Sequence, residues 1–436
     1  MKLTLRNVGK IKQTEIELNG ITVLGGENGT GKSTAGKALY GLLSSFYDAN
    51  KEIEKQKRLI INNELGKMLN EMSVRDYFIL GRPEGFQQRL NTVTEIMDVL
   101  KYDSESEDTL LDSLSEVIIA NLLNKIDEDL KNNEQDKLIV RSYAAIIASI
   151  GNITDEEMYP LFVDKNVGDI FHSQINHIND PTVEAAIKFE GFEKPIELTF
   201  IDDKIRDIYY LAQDVPKPIY IDSTFTTEAE NRNNSKNIYN FSLSEMLIEV
   251  NEALNNELSE VLFNKKIKLT LDFLNGLTSG DILPGENKLL AFQDDKLYRP
   301  VKMGNLSLGL KAFAIIKRLL KNRHITENTI LIIDEPETHL HPEWQLKFAQ
   351  LLVFLQKDLN LTIMLATHSP YILNAIEVYS AKHGIADKCK YYLAENDEIG
   401  LYANISDVSA NTELVYQKLA IPLRTLRIMS YGEDYE

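Results

Sequence analysis

The stretch Gly26-Glu27-Asn28-Gly29-Thr30-Gly31-Lys32-Ser33, followed by Thr34, decides the reading of the chain. It fits the phosphate-loop pattern G-x-x-x-x-G-K-[ST] at every fixed position. An apolar run, Ile21 to Leu24, leads in, and Leu39, Leu42, Leu43 and Phe46 repeat at helical spacing behind it. That strand–loop–helix order is the context in which such a loop holds phosphate. Gly26, Gly29 and Gly31 let backbone N–H groups turn inward around an anion without Cβ clashes, with Asn28 and Thr30 between them. The helix that follows adds the positive end of its dipole. The pattern assigns Lys32 to the β- and γ-phosphates of a nucleotide and the Ser33 hydroxyl to Mg²⁺.

A chain of 436 residues, 43% of them hydrophobic, is long enough for more than one domain or for one large core with an insertion. No run approaches the roughly 18 consecutive apolar residues of a membrane span. The opening Met1-Lys2-Leu3-Thr4-Leu5-Arg6 lacks the apolar centre of a signal peptide and reads as a strand. The single cysteine, Cys389, excludes an internal disulfide and any cysteine-paired zinc site. The expectation is a cytoplasmic protein with no membrane partner. The net charge of −19, from 66 acidic and 47 basic residues, argues against broad affinity for nucleic acid but leaves room for a local basic groove.

Residues 2–6 and 14–18 alternate apolar and polar, so two half-buried strands precede the loop, and Asn19-Gly20 marks a turn. From residue 46 to 180 the chain reads as a helical insertion; Leu110, Leu111, Leu114, Val117, Ile118, Leu122 and Ile126 share one helical face. Residues 181–300 read as a β subdomain. It opens with a hairpin, Ile187/Phe189 against Ile196/Leu198/Phe200 about Gly191. Val215 to Ile221 follows as an edge strand, because Pro216 and Pro218 cannot sit in a central one. A mobile loop is expected at 226–240 and a helix at 243–263. Strands are expected around Ile267–Phe273, Lys288–Gln293 and Lys296–Val301. Residues 1–45 and 301–436 then form the two parts of an α/β core, a mixed and parallel sheet with flanking helices.

Four further features complete a nucleotide site. The run Thr329-Ile330-Leu331-Ile332-Ile333-Asp334-Glu335-Pro336 is a buried parallel strand that delivers two acids to the ligand edge of a sheet. Asp334 is placed on Mg²⁺ and Glu335 on the attacking water. A second buried strand, Leu361 to Thr367, ends at His368, which can donate a hydrogen bond to the γ-phosphate or to that water. Asn305-Leu306-Ser307-Leu308-Gly309-Leu310-Lys311 opens a helix, and Ser307 and Gly309 make its N-terminus an anion site. His339 and His341, in Glu337 to Pro342, are spaced as a metal pair, but no third ligand is evident.

Phosphate loop, Ser-x-Gly segment, Asp-Glu-Pro and strand-tip histidine stand in the order used by ATP-binding-cassette (ABC) ATPases, which the chain resembles. In that family the Ser-x-Gly segment of one subunit caps the ATP held by another subunit's phosphate loop. The resemblance therefore implies that Ser307 and Gly309 act in trans and that the protein is a homodimer or higher oligomer with ATP and Mg²⁺ as cofactors. Leu308 stands where transporter subunits carry Gly, and His341 where they carry an aspartate. Residues 335–342, Glu-Pro-Glu-Thr-His-Leu-His-Pro, are instead similar to the overcoming-lysogenisation-defect (OLD) family and related AAA-labelled, recombination-type ATPases. Asn7-Val8-Gly9-Lys10-Ile11-Lys12 and Gly20-Ile21-Thr22-Val23 are similar to the bacterial defence and repair ATPases of that group. The likeness covers residues 1–40 and 300–425.

Two departures from these relatives shape the expectation. OLD nucleases carry a C-terminal Toprim domain, whereas 68 residues follow His368 here without an acid constellation of that kind. The Cys-x-x-Cys hook of zinc-hook repair ATPases is also absent. The chain thus resembles stand-alone ATPases of the Septu, PARIS and retron antiviral systems, in which a separate protein supplies the toxic activity. The resemblance implies an ATPase that regulates a separately encoded effector such as a nuclease. A DNA-repair ATPase that clamps DNA as an ATP-closed dimer, and a transporter motor, stay open as alternatives.

Overall fold

The computed structural model of the chain describes residues 1–72, 83–101, 106–123, 134–191, 194–210, 214–222, 238–250, 257–284, 290–421 and 426. The chain divides into two compact units: Met1–Tyr47 with Asp164–Glu436, and Asp48–Val163. Fourteen strands lie in the described part of the first unit: β1 (Lys2–Val8), β2 (Ile11–Glu17), β3 (Ile21–Gly26), β4 (Ala185–Glu190), β5 (Ile196–Ile201), β6 (Lys204–Tyr209), β7 (Lys217–Asp222), β8 (Asp281–Pro284), β9 (Leu290–Gln293), β10 (Val301–Lys302), β11 (Thr329–Asp334), β12 (Thr362–Thr367), β13 (Cys389–Asn396) and β14 (Ala403–Asp407). Eleven of them form one sheet in the order β6-β5-β4-β1-β2-β14-β13-β3-β12-β11-β7, and β8–β10 form a small antiparallel sheet.

The sheet is mixed, and its two halves follow from their residue patterns. On one side β1, β2 and β4–β6 pair antiparallel, and β2 alternates buried Ile11, Thr14 and Ile16 with exposed residues between them. On the other side β13, β3, β12, β11 and β7 run parallel. Every residue of β3 and β12 is buried, as is β11 from Thr329 to Ile333, which is what continuous apolar runs flanked by helices on both faces require. This is the mixed sheet with flanking helices expected of an ABC-type ATPase core. The hairpin is present in the register Ile187↔Leu198 and Phe189↔Ile196.

β7 is an edge strand, as its prolines demand. The Lys217 N–H donates to Asn328 O at 2.9 Å, so by strand alternation the nitrogens of Pro216 and Pro218 face the open edge, where no donor is needed.

Several local expectations change in the structure. Residues 181–300 are not one β subdomain: β4–β7 extend the main sheet, and only β8–β10 stand apart. The strand expected at Ile267–Phe273 is a helix, Lys268–Leu277. Its alternating apolar residues mimic a strand, but the Asp358 carboxylate accepts from Thr270 N (3.0 Å) and Thr270 Oγ1 (2.7 Å). That anion in the first turn satisfies an orphan N–H and complements the helix dipole. The helix expected at 243–263 is two helices, Ile238–Ile248 and Glu257–Lys266. The strand expected at Lys296–Val301 shrinks to β10, because residues 294–297 turn back through a Leu297 N–H bond to Asp294 O. Residues 226–237 of the expected mobile loop lie outside the described residues.

The second unit is helical: Ala49–Glu71, Pro83–Lys101, Glu107–Ile118, Glu134–Asn152 and the start of Asp155–Phe171. It has its own core, in which Leu114, Ile118 and Leu122 are fully buried with Ile61, Leu65, Val140 and Ile147. A π turn over Ile119–Leu123 keeps Leu122 on that face. Ile126, the last residue of the expected stripe, lies outside the described residues. No helix among the described residues is long and apolar enough to cross a membrane.

In the first unit the helix Leu308–Lys321 is held against the helix Pro342–Leu359 by an aromatic cluster. Phe313 stands 5.3 Å from Trp344 and 5.7 Å from Phe348, edge to face. Phe313 is fully buried. Phe313→Ala is expected to lower stability by about 3–5 kcal/mol through the cavity it leaves. Trp344 is the only tryptophan, so its emission during chemical denaturation reports the loss directly. An unchanged midpoint would remove Phe313 from the contacts that hold this helix.

Candidate functional site

Parallel register assembles the site. β3 lies between β12 and β11's side of the sheet and β13, with Gly25 opposite Thr367, Ala366 opposite Asp334, and Asp334 opposite Asp222. The phosphate loop, the two acids and His368 therefore emerge at the same carboxyl edge, where open α/β sheets bind ligands. The loop turns through Gly29 (φ +72°) and Gly31 (φ +85°), and the helix Lys32–Phe46 begins directly after it. Gly26 is required for a second reason. A Cβ there would lie 2.2 Å from Ala394 O on the neighbouring strand. Asn28 is exposed, and the buried Thr30 closes the loop by donating to Glu27 O at 2.8 Å.

Lys32 is buried and donates to the loop's own carbonyls, Gly26 O (3.0 Å) and Glu27 O (2.6 Å). Burial pulls its ammonium below the usual value, against the attraction of Glu335, Asp334, Glu337 and Glu27. Ser33 Oγ donates to Asp334 Oδ1 at 3.0 Å, and Tyr220 OH donates to Asp334 Oδ2 at 2.9 Å. Burial raises the Asp334 pKa, and these two hydrogen bonds only partly oppose it. A hydroxyl and a carboxylate meeting beside a phosphate loop are hard oxygen donors of the kind Mg²⁺ takes. Glu335 occupies the left-handed region at φ +48°, which a non-glycine residue adopts only when its surroundings hold it there. Its N–H donates to Ala366 O at 3.0 Å.

A cavity of about 320 Å³ opens at the loop. Gly29 to Thr34 and Glu335 line it together with Gly9, Lys10, Phe171, Gln174 and Ile178. Asp334, His368, Ser307 and Gly309 are not part of this lining. Ser307 is the N-cap residue of the helix Leu308–Lys321 and makes no side-chain capping bond, while Gly309 packs near Leu340 and Trp344. Within one chain the Ser-x-Gly segment thus stays apart from the cavity. His341 caps the helix Pro342–Leu359, accepting from Glu343 N at 3.4 Å. Among the described residues no group of three His, Cys, Asp or Glu side chains could hold a metal ion.

Three parts of the site escaped the sequence reading. Glu337 is buried beneath His368 and accepts from Thr367 Oγ1 (2.7 Å) and the His368 N–H (2.6 Å). Tyr220 comes from the edge strand. Phe171, Gln174 and Ile178 come from a segment without a motif. Only the first has a visible signal, an acid two residues after Glu335 in a stretch whose histidines are the more conspicuous feature.

Asp334 supplies a stability test. Its folded-state pKa is raised, so the folded protein holds this proton more tightly than the unfolded chain does. The stability it contributes is therefore greatest at low pH and is lost as pH rises through the folded value. Asp334→Asn removes a buried charge while keeping partners for Ser33 and Tyr220. Without nucleotide it is expected to melt at or above the wild-type temperature at neutral pH, and to lose Mg²⁺-dependent nucleotide stabilisation. Calorimetry with and without Mg²⁺ and ATP checks both. A lower melting temperature in the nucleotide-free variant would contradict the sign.

Among solved structures the chain is similar to the SMC head domain from Thermotoga maritima, at 12% identity, 93% of this chain, 98% of that chain and a TM-score of 0.35. It is similar to an SmcHead bound to the C-winged helix domain of ScpA, at 11% identity, 94% and 98% coverage and a TM-score of 0.42. It is also similar to an Smc head domain with an extended coiled coil from Pyrococcus furiosus, at 9% identity, 96% and 98% coverage and a TM-score of 0.32. A search of curated proteins finds no match. The family described as "AAA domain, putative AbiEii toxin, Type IV TA system" matches residues 21–374, a span that runs from the phosphate-loop strand past His368, and the chain belongs to that family.

Proposed function

We propose that the protein binds and hydrolyses ATP at composite sites between subunits and uses its ATP state to regulate a separately encoded effector, such as a nuclease, in antiphage defence. The observation that carries the ATPase reading is the Ser33–Asp334 hydrogen bond beside a glycine loop whose lysine is folded onto its own carbonyls. A triphosphate offers that lysine and the loop amides an anion to bind. Lys32 then exchanges Gly26 O and Glu27 O for the β- and γ-phosphates. Ser33 and Asp334 would hold Mg²⁺, which would supply neutralisation of the phosphate charge. Glu335, the acid that lines the cavity, orients and polarises the attacking water. Phe171 and Ile178, in the lining of the same cavity, offer apolar surface to a base. Ser307 and Gly309, absent from the chain's own cavity, complete the site of a second copy.

The charge of the helical unit favours a protein partner over DNA. Residues 48–163 hold 23 acidic and 13 basic side chains, so this unit repels a phosphate backbone. The family description names a putative toxin of a toxin–antitoxin system.

Lys32→Ala is expected to abolish ATP binding, and Glu335→Gln to preserve binding while turnover falls by at least about a hundredfold. Isothermal titration and phosphate release measure the two. Turnover by Glu335→Gln at the wild-type rate would remove Glu335 from the role of base. Tagged Glu335→Gln protein purified from its native operon with ATP and Mg²⁺ then identifies the partner. A stoichiometric protein supports effector control, whereas DNA without protein would replace it with a repair clamp.

A further inference from the structure

Beneath the strand-tip histidine lies an arrangement that the ATPase reading does not use. Glu337 is 6% exposed, and its Oε1 accepts from Thr367 Oγ1 at 2.7 Å and from the backbone N–H of His368 at 2.6 Å. The same Oε1 lies 3.3 Å from His368 Nδ1, and Glu335 Oε1 lies 3.8 Å from that nitrogen. His368 Nδ1 is itself buried, while the side chain as a whole is 39% exposed, so the open edge of the ring is the one that carries Nε2. Among the described residues neither Nδ1 nor Glu337 Oε2 has a hydrogen-bond partner of good geometry.

Neutral imidazole carries one proton, on either Nδ1 or Nε2, and the surroundings of the two nitrogens decide which. A lone pair on Nδ1 would face two carboxylate oxygens, an arrangement of acceptors alone in a buried place. A proton on Nδ1 faces the same two oxygens favourably. We propose that Glu337 is a positioning residue that holds neutral His368 as its Nδ1–H tautomer, so that Nε2 meets the nucleotide site as a hydrogen-bond acceptor for the attacking water. This differs from the donor role towards phosphate expected for a strand-tip histidine. It also ties the His368 backbone to the turn Pro336–His339, which directly follows Glu335. The water-side acid and the imidazole therefore keep a fixed spacing. The functional part of the proposal rests on the site's being an ATPase; the tautomer itself does not.

The test separates those parts. Protein with ¹⁵N-labelled histidine and no nucleotide is examined by long-range ¹H–¹⁵N correlation, with the His368 signals identified by their loss in His368→Asn. The expected spectrum has a pyrrole-type Nδ1 and a pyridine-type Nε2 for His368. The reverse pattern overturns the proposal whether or not the protein hydrolyses ATP. Glu337→Gln keeps the size and the bonds to Thr367 and the His368 N–H but removes the negative charge. It is expected to shift His368 towards the Nε2–H form and to lower kcat by roughly tenfold to a hundredfold, with the Kd for ATP within about twofold. An unchanged kcat in a variant with a shifted tautomer removes the water-orienting role. If Glu337→Gln does not fold, the wild-type spectrum still decides the tautomer. If the wild type turns over no ATP, the ATPase reading fails while the spectrum still stands as the test here.

Discussion

The hydrogen bond from Ser33 Oγ to Asp334 Oδ1, 3.0 Å long, joins residues 301 positions apart. It can form only if β11 and β12 run parallel to β3 in register, so that the tip of β11 reaches the first turn of the helix behind the loop. Parallel pairing in turn needs crossover helices on the faces of the sheet, and these supply the apolar cover that the uninterrupted runs of β3, β11 and β12 demand. The helical unit at 48–163 and the segment that carries β4–β10 are both inserted between the two ends of this bond. The sheet and helices of the first unit are thus arranged around a contact that no local stretch of chain could make.

Charge is buried at this place at a cost. Lys32, Asp334 and Glu337 all leave water, Glu335 is held in a left-handed conformation, and Glu337 Oε2 and His368 Nδ1 lack good partners. Buried unsatisfied groups and strained backbone tend to gather where function overrides stability. Lys317 offers a contrast within the same fold. It too is buried, but its ammonium donates to Thr278 O (3.0 Å) and Gly280 O (3.1 Å), with Asp281 at 3.6 Å. That charge is satisfied by the ends of neighbouring elements and stitches the helix after Ser307 to β8. At the phosphate loop Lys32 is likewise held by backbone carbonyls, whereas Asp334 is satisfied by Ser33 and Tyr220, and Glu337 Oε2 and His368 Nδ1 have no hydrogen-bond partner among the described residues.

Much of this was readable in the chain. The glycine spacing in 26–33, the acids at the end of an apolar run and the prolines at 216 and 218 each carry one physical consequence that context cannot easily reverse. A loop with φ above zero needs Gly29 and Gly31, and a strand with two prolines goes to an edge. The helix Lys268–Leu277 was misread because its alternation of Ile267, Leu269, Leu271 and Phe273 is ambiguous, and the deciding group, Asp358, sits on a helix far along the chain. The separate β subdomain was misjudged for a similar reason. Whether β4 joins β1 or begins a new sheet depends on which edge is open in the folded molecule.

The sequence by itself determined the chemistry offered at the loop, the order of the motifs around it and the buried or half-buried character of β1, β2, β3, β11 and β12. These follow from residue type at short range, through backbone freedom, side-chain period and the missing N–H of proline. Only the tertiary structure decided that Tyr220 and Ser33 share Asp334, that Glu337 lies under His368, and that Phe171, Gln174 and Ile178 face the phosphate loop. Each of these joins residues dozens to hundreds of positions apart. Hydrogen bonds and pKa shifts at that range are set by strand register and burial, which no single stretch of the chain contains.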